Sequence, residues 1–135
     1  MSDINDKAHT QPAFAEFLGL KITSVSAERV TAELKAREEL NNRHGILHGG
    51  AIMALADNLG GTATTANLKP GQSTTTIESK TNFFAAVPIG DTAYAECVAL
   101  HRGRTTMVWQ TRITRGDGRL CALVTQTQMV LDHKK

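Results

Sequence analysis

The sequence predicts an α+β fold in which an antiparallel sheet curls around one long apolar helix. Three observations carry that prediction. Residues 20–36 and 72–131 contain runs that alternate apolar and polar side chains, the period of half-buried strands. The segment Gly49 to Leu68 has helical spacing and a single charged residue, Asp57. The strand-like runs are joined by short links, which imply antiparallel pairing.

The elements follow in order. Residues 1–11 are polar and expected to fray, leaving residues 12–135 as one domain. Pro12 to Leu18 reads as a short helix with Phe14, Phe17 and Leu18 on one side, Pro12 in its first turn and Gly19 just past its end. Between Leu20 and Ala36, Val30, Ala32 and Leu34 face one way while Thr31, Glu33 and Lys35 face the other; a turn near Ala27 and Glu28 separates this strand from a preceding one. Glu38 to Gly50 is turn-rich.

The long helix places Ile52, Leu55, Leu59 and Ala66 near one stripe. It carries no run of charges opposite that stripe, so burial on most sides is expected. Its opposite face offers Met53, Gly60, Gly61 and Thr64, and small residues there admit close approach of another backbone. After Pro70–Gly71 come four strand-like runs: Gln72 to Phe84, Asp91 to His101, Thr105 to Arg115 and Arg119 to Leu131. Asp117–Gly118 is a strong hairpin signal between the last two.

Composition bounds the class. The chain has 135 residues, about one domain, and can bury roughly 68% of its unfolded surface. With 41% hydrophobic and 21% charged residues it matches folded proteins rather than disordered ones. A net charge of +2 is too weak and scattered for duplex nucleic acid to be the main partner. No apolar run suits a transmembrane helix, and the N-terminus has no signal-peptide pattern. Cys97 and Cys121 make no disulfide framework, and neither sits in a basic or Gly-rich setting, so both read as packing residues. A soluble cytoplasmic protein is expected. Only six residues are aromatic, so the core must rely on Ala, Leu, Ile, Val and Thr, with room for an oligomer interface to complete it.

Asp57 is the most informative residue. A carboxylate inside an apolar helix is costly to bury, and such groups mark functional sites more often than not; the alternative is a solvent-exposed or capping role. His48-Gly49-Gly50 is the second signal. Two glycines open the helix, leaving N–H groups unshielded at its positive end, where an acyl carbonyl or its oxyanion could be held; the alternative is a simple tight turn.

Gly49 and Asp57 are eight residues apart, roughly 12 Å along one helix. One carbonyl needs donor and attacking group each within about 3 Å, so a single helix cannot supply both. Two antiparallel copies in a two-fold dimer can, with two equal sites.

Other polar residues read more plainly. His44 and His48 flank Gly45 in a loop, without the companions a metal site needs, and no metal is expected. His48 fits a role in fixing the loop by a side-chain hydrogen bond. Asn42 could orient a water or a carbonyl, or serve as a turn asparagine. Arg102-Gly103-Arg104 is a basic turn that could hold phosphates or be a solvated hairpin tip. No G-x-S-x-G nucleophile elbow is present.

The run N42-R-H-G-I-L-H-G-G-A-I-M-A-L-A-D57 resembles the signature of hotdog-fold acyl-CoA thioesterases. The similarity is to the phenylacetate-degradation (PaaI-like) branch, with the 4-hydroxybenzoyl-CoA thioesterases beside it. The G-D-T-A, L-H-R-G-R-T, V-W-Q-T-R-I and G-R-L-C-A-L-V-T-Q-T stretches extend the resemblance from Phe14 to Leu131.

The resemblance implies a hotdog fold, paired into dimers and commonly tetramers. It implies an acyl-CoA substrate, aryl or medium-chain, and no cofactor beyond the CoA of the substrate. Asp57 would be the acidic residue that carries catalysis, as nucleophile or as general base on water. Gly49 and Gly50 would lie where a backbone N–H polarises the thioester carbonyl, with His48 and Asn42 as supporting polar groups. Gly61, with Thr62 next, takes the place one turn after the acid where many relatives have Ser or Thr. Phe83 stands where some aromatic-specific relatives carry a second histidine. Arg102, Gly103 and Arg104 would lie in the region that meets CoA phosphates in some members. Two other readings remain open: an enoyl-CoA hydratase or dehydratase on the same fold, using His48 with Asp57, and a non-catalytic acyl-CoA-binding protein.

Overall fold

The computed structural model describes residues 4–133. Six strands form one antiparallel sheet: β1 (Lys21–Val25), β2 (Arg29–Lys35), β3 (Gln72–Phe83), β4 (Thr92–Arg102), β5 (Thr106–Thr114) and β6 (Leu120–Asp132). Their spatial order is β1-β2-β4-β5-β6-β3, so β1 and β3 are the edges. A short helix, α1 (Ala13–Leu18), precedes β1, and the long helix, α2 (Gly49–Ala66), sits between β2 and β3 in the chain. It packs across the sheet against β2 through β6. This is the expected α+β arrangement.

Alternation decides which side chains meet α2. Val30, Ala32 and Leu34 of β2, Ala93, Ala95 and Cys97 of β4, and Met107, Trp109 and Ile113 of β5 are buried, while their neighbours are less so. From α2, Ile52, Leu55, Leu59, Ala63 and Ala66 complete the core. Burying a Leu or Ile side chain fully stabilises by roughly 1.5–3 kcal/mol, so this stripe anchors the helix. Trp109, the largest buried side chain, donates from Nε1 to Thr64 Oγ1 at 2.8 Å, and Thr64 in turn donates to Gly60 O at 2.9 Å. Its one polar atom is therefore satisfied in the core.

The structure revises α1 and adds detail to two other expectations. Residues 4–11, expected to fray, lie against α2; residues 1–3 of that expectation lie outside the described residues. A 3-10 turn at Asp6–His9 buries Ala8, Asn5 N donates to Ala66 O, and Gln11 Oε1 accepts from Asn58 Nδ2 at 2.6 Å. These bonds tie the segment along α2. In α1, the side that packs is Ala15 and Leu18, spaced by three, while Phe14 and Phe17 are 62% and 74% exposed. Pro12 is the N-cap rather than a first-turn residue. Finally, α2 is buried on most sides, with ten of its 18 residues buried, but it keeps one open stripe. Gly50, Met53 and Asp57 are exposed and Ala54, Asn58, Gly61 and Thr65 half-buried, at spacings of three and four.

The two adjacent glycines of α2 part company. Gly61 lies on the open face, with nothing near the place of a Cβ. Gly60 instead faces the sheet, where a Cβ would overlap the Gln126 carboxamide on β6. Only Gly61 is available to an approaching second backbone.

Candidate active site

The entry into α2 is built by His48 and the glycines after it. His48 is the N-cap, with extended backbone, and its Nδ1 accepts from Gly50 N at 2.8 Å. Nδ1 is therefore the unprotonated nitrogen and the ring hydrogen sits on Nε2. A Cβ on Gly50 would lie 3.0 Å from that Nδ1, so glycine leaves room for the cap. Ala51 N and Ile52 N donate to His48 O. Among the described residues, Gly49 N–H donates to no protein acceptor, so it is the free donor at the positive end of the helix. His48 thus fixes the loop, and it uses the Gly50 N–H to do so.

Asn42 also serves the loop. Its Oδ1 accepts from His44 N at 2.7 Å and Ile46 N at 3.4 Å, an Asx turn that leads the chain to the helix. Asn42, Gly49 and Phe83 line one cavity of about 380 Å³, with Phe84 and Val87 among its apolar walls. Phe83 is 51% exposed at the end of β3, its ring over Gly49.

Asp57 lies in another cavity, of about 370 Å³. Its carboxylate is held by neighbouring strands. Thr76 Oγ1 of β3 donates to Asp57 Oδ1 at 2.8 Å, and Gln126 Nε2 of β6 approaches the same oxygen at 3.3 Å. Oδ2 has no partner among the described residues. Gly61 and Thr62 line this cavity as well, and Thr62 Oγ1 donates to Gln11 Oε1 at 3.4 Å. The docked N-terminal segment supplies Lys7, Thr10 and Pro12 as one wall.

Arg102, Gly103 and Arg104 sit at neither place. They form the β4–β5 turn beside the C-terminal end of α2, where Arg102 Nη1 donates to Asn67 Oδ1 at 3.1 Å. One chain thus groups Asp57 with Gly61 and Thr62, groups Gly49 with Asn42 and Phe83, and keeps the arginine turn apart.

Residues that the sequence reading missed are Thr74, Thr76, Gln126 and Gln128, all around Asp57. A readable signal existed for the glutamines. Alternation carried on from Ala122 and Val124 puts both on the inward face of β6, and both are 1% exposed. Nothing comparable marked Thr76 within a Thr-rich strand.

Among the described residues no three His, Cys, Asp or Glu side chains gather as a metal site, and no helix is long and apolar enough to cross a membrane.

The fold and this helix entry have known counterparts. The thioesterase superfamily profile matches residues 44–122, from the loop before α2 into β6. A 1,4-dihydroxy-2-naphthoyl-CoA hydrolase from Listeria monocytogenes is 29% identical over 89% of this chain and 97% of its own. A Streptococcus mutans protein, smu.793, solved bound to acetyl CoA, superposes with a TM-score of 0.78 at 26% identity, covering 86% of this chain and 91% of that one. The E. coli PaaI protein of the phenylacetic acid degradation operon superposes at 0.86 over 97% and 98%; at 22% identity it attests the hotdog fold alone. With more than half its length inside the profile, the chain belongs to the thioesterase superfamily, a family of thioester hydrolases.

Proposed function

We propose that this protein hydrolyses the thioester of an aryl- or medium-chain acyl-CoA, with Asp57 as nucleophile or general base and the Gly49 N–H polarising the carbonyl. The observation that carries the reading is the Asp57 carboxylate, fixed through Oδ1 and open at Oδ2, in a cavity within the size range of small-molecule sites. An acyl-CoA hydrolase and an acetyl-CoA complex among the similar proteins support the substrate class.

The chemistry follows from two groups. Attack on the thioester carbon puts negative charge on the carbonyl oxygen, and one well-aimed N–H is worth about 2.7–4 kcal/mol there. In one route Asp57 Oδ2 attacks, CoA leaves as thiolate, and water then opens the mixed anhydride. In the other, Asp57 takes a proton from a water whose oxygen attacks directly. Both deliver free acid and CoA.

Gly49 and Asp57 lie roughly 12 Å apart along α2, so the working site uses Asp57 of one protomer with Gly49 of a second. The open face with Met53, Asp57 and Gly61 and the unpaired edge of β3 are the surfaces available for that pairing. Arg104, exposed in its turn, with Arg102 beside it, is the proposed contact for CoA phosphates.

Thiol release from phenylacetyl-, 4-hydroxybenzoyl-, hexanoyl- and crotonyl-CoA tests the activity. Asp57→Ala and Asp57→Asn should each remove nearly all turnover; retention of more than about a tenth of the rate, under roughly 1.4 kcal/mol of barrier, refutes the assignment. Gly49→Pro tests the donor. Pro suits the first helical position and His48 before it is already extended at ψ 135; because a Cβ here also meets the Phe83 ring at 3.3 Å, Gly49→Ala, which adds that carbon and keeps the N–H, is the control. Mixing inactive Asp57→Asn with inactive Gly49→Pro protein should restore about a quarter of wild-type rate, because half the random dimers hold one intact shared site. No recovery, with subunit exchange verified, refutes the shared site.

A further inference from the structure

Two glutamines on β6 are buried to 1% exposure, opposite the middle of α2, at positions whose inward-facing neighbours are Val124 and Val130. A buried carboxamide costs stability unless every polar atom is paired, and Gln126 Oε1 has no partner among the described residues. Gly60 is needed to admit the Gln126 side chain. The fold therefore gives up stability at this point, and the geometry shows what it gains.

A carboxylate only accepts hydrogen bonds. The single hydrogen of Thr76 Oγ1 therefore points at Asp57 Oδ1, 2.8 Å away. Thr76 Oγ1 also touches the Gln128 carboxamide, and with its hydrogen committed it can only accept there, from Nε2. That orientation turns Gln128 Oε1 toward Thr74 Oγ1, at 3.0 Å. Gln126 Nε2 is likewise fixed, since both atoms it approaches on Asp57, O at 3.5 Å and Oδ1 at 3.3 Å, are acceptors. The Thr76 hydroxyl and Gln128 Nε2 thus both donate in the direction of the carboxylate, while Thr74 Oγ1 shares its one hydrogen between Gln128 Oε1 and Met129 O at 2.8 Å.

We infer that Thr76 and Gln128, with Gln126 beside them, are positioning residues for the reaction: a one-way chain of hydrogen bonds from the buried face of β6 holds Asp57 Oδ1 and turns Oδ2 toward the substrate cavity. The inference rests on the reading of Asp57 as the reacting carboxylate. Thr76 holds the carboxylate directly; Gln128 acts through Thr76 and never touches Asp57.

Steady-state kinetics and side-chain amide NMR test it together. Thr76→Val and Gln128→Met should each lower kcat at least about tenfold with KM changed less than about twofold, the pattern of lost alignment rather than lost binding. Thr76→Ser, which keeps the hydroxyl, should stay within about threefold of wild type, and the double variant Thr76→Val/Gln128→Met should be no slower than Thr76→Val alone. Either single variant retaining kcat within about twofold, or losses that multiply in the double variant, overturns the inference. Independently of turnover, Asp57→Asn should move the Gln128 side-chain amide resonances, and should not move them in a Thr76→Val background. Unmoved resonances overturn the chain even where Asp57 proves essential. A wild-type protein that releases no thiol from any acyl-CoA removes the thioesterase reading and the positioning role with it, whatever the spectra show.

Discussion

Gly60→Ala isolates the close approach of α2 to β6. In an exposed helix the change would stabilise, because Ala is favoured over Gly by about 0.8–1.0 kcal/mol. Here the new Cβ overlaps the Gln126 carboxamide, which is itself buried and unable to swing into solvent. Overpacking of a filled core costs about 1–3 kcal/mol, and pushing Gln126 Nε2 off Asp57 adds the loss of a long hydrogen bond at an exposed acceptor, no more than about 1 kcal/mol. Less the helix preference, the net expectation is a destabilisation of up to about 3 kcal/mol. The control is the same substitution in a Gln126→Ala background, where the space is vacated and the helix preference returns the sign to neutral or stabilising. Urea unfolding of the four proteins, at one protein concentration because any pairing of subunits adds to apparent stability, gives the cycle. An equal effect of Gly60→Ala in both backgrounds refutes the packing argument, and so does stabilisation in the wild-type background.

Two further outcomes follow from single residues. His48→Ala removes the cap on Gly50 N–H and should cost about 0.5–2 kcal/mol in unfolding experiments, with His48→Asn, a good cap, recovering most of it; equal melting of all three proteins refutes the cap. Burial pushes the Cys97 thiol up to about 11 from its ordinary 9.0, partly opposed by the Thr111 hydroxyl beside it. The unfolded chain therefore loses that proton first, so the stability Cys97 contributes is intact below about pH 9 and is lost as pH rises through 11, by roughly 2–3 kcal/mol in all. Stability measured against Cys97→Ala from pH 8 to 11 should show the difference close in that window; a constant difference refutes it.

The fold was legible because its elements carry separate periods. Strands β2, β4, β5 and β6 alternate with few exceptions, and the stripe Ile52, Leu55, Leu59 and Ala66 repeats at helical spacing. What composition could not say is which exposed-looking residues find partners. Asn5 and Gln11 read as polar tail, yet the Asn5 N–H donates to Ala66 O and the Gln11 side chain accepts from Asn58, both on α2. Phe14 and Phe17 read as core, yet Ala15 and Leu18 pack because α1 turns its small residue inward. Hydropathy assigns a face to a helix, and six residues are too few to assign it well.

The candidate site was legible along the chain and hidden across it. Asp57 and the His48-Gly49-Gly50 entry stand out because each breaks a local rule, a charge in an apolar helix and paired glycines at a helix start. Their supports break no local rule. Thr76 is one threonine in a Thr-rich strand, and Gln126 becomes informative only once β6 is known to pass over Gly60. That neighbour relation comes from the sheet order, in which β6 lies between β5 and β3 although β3 precedes it in sequence by two other strands. The crossover brings Thr76 and Gln128 side by side beneath Asp57, with Thr76 paired to Gln128 in register. A glycine in a helix and a glutamine at a core position of a strand are each a small defect in isolation. Together they are complementary in shape, and the complement ends on the carboxylate.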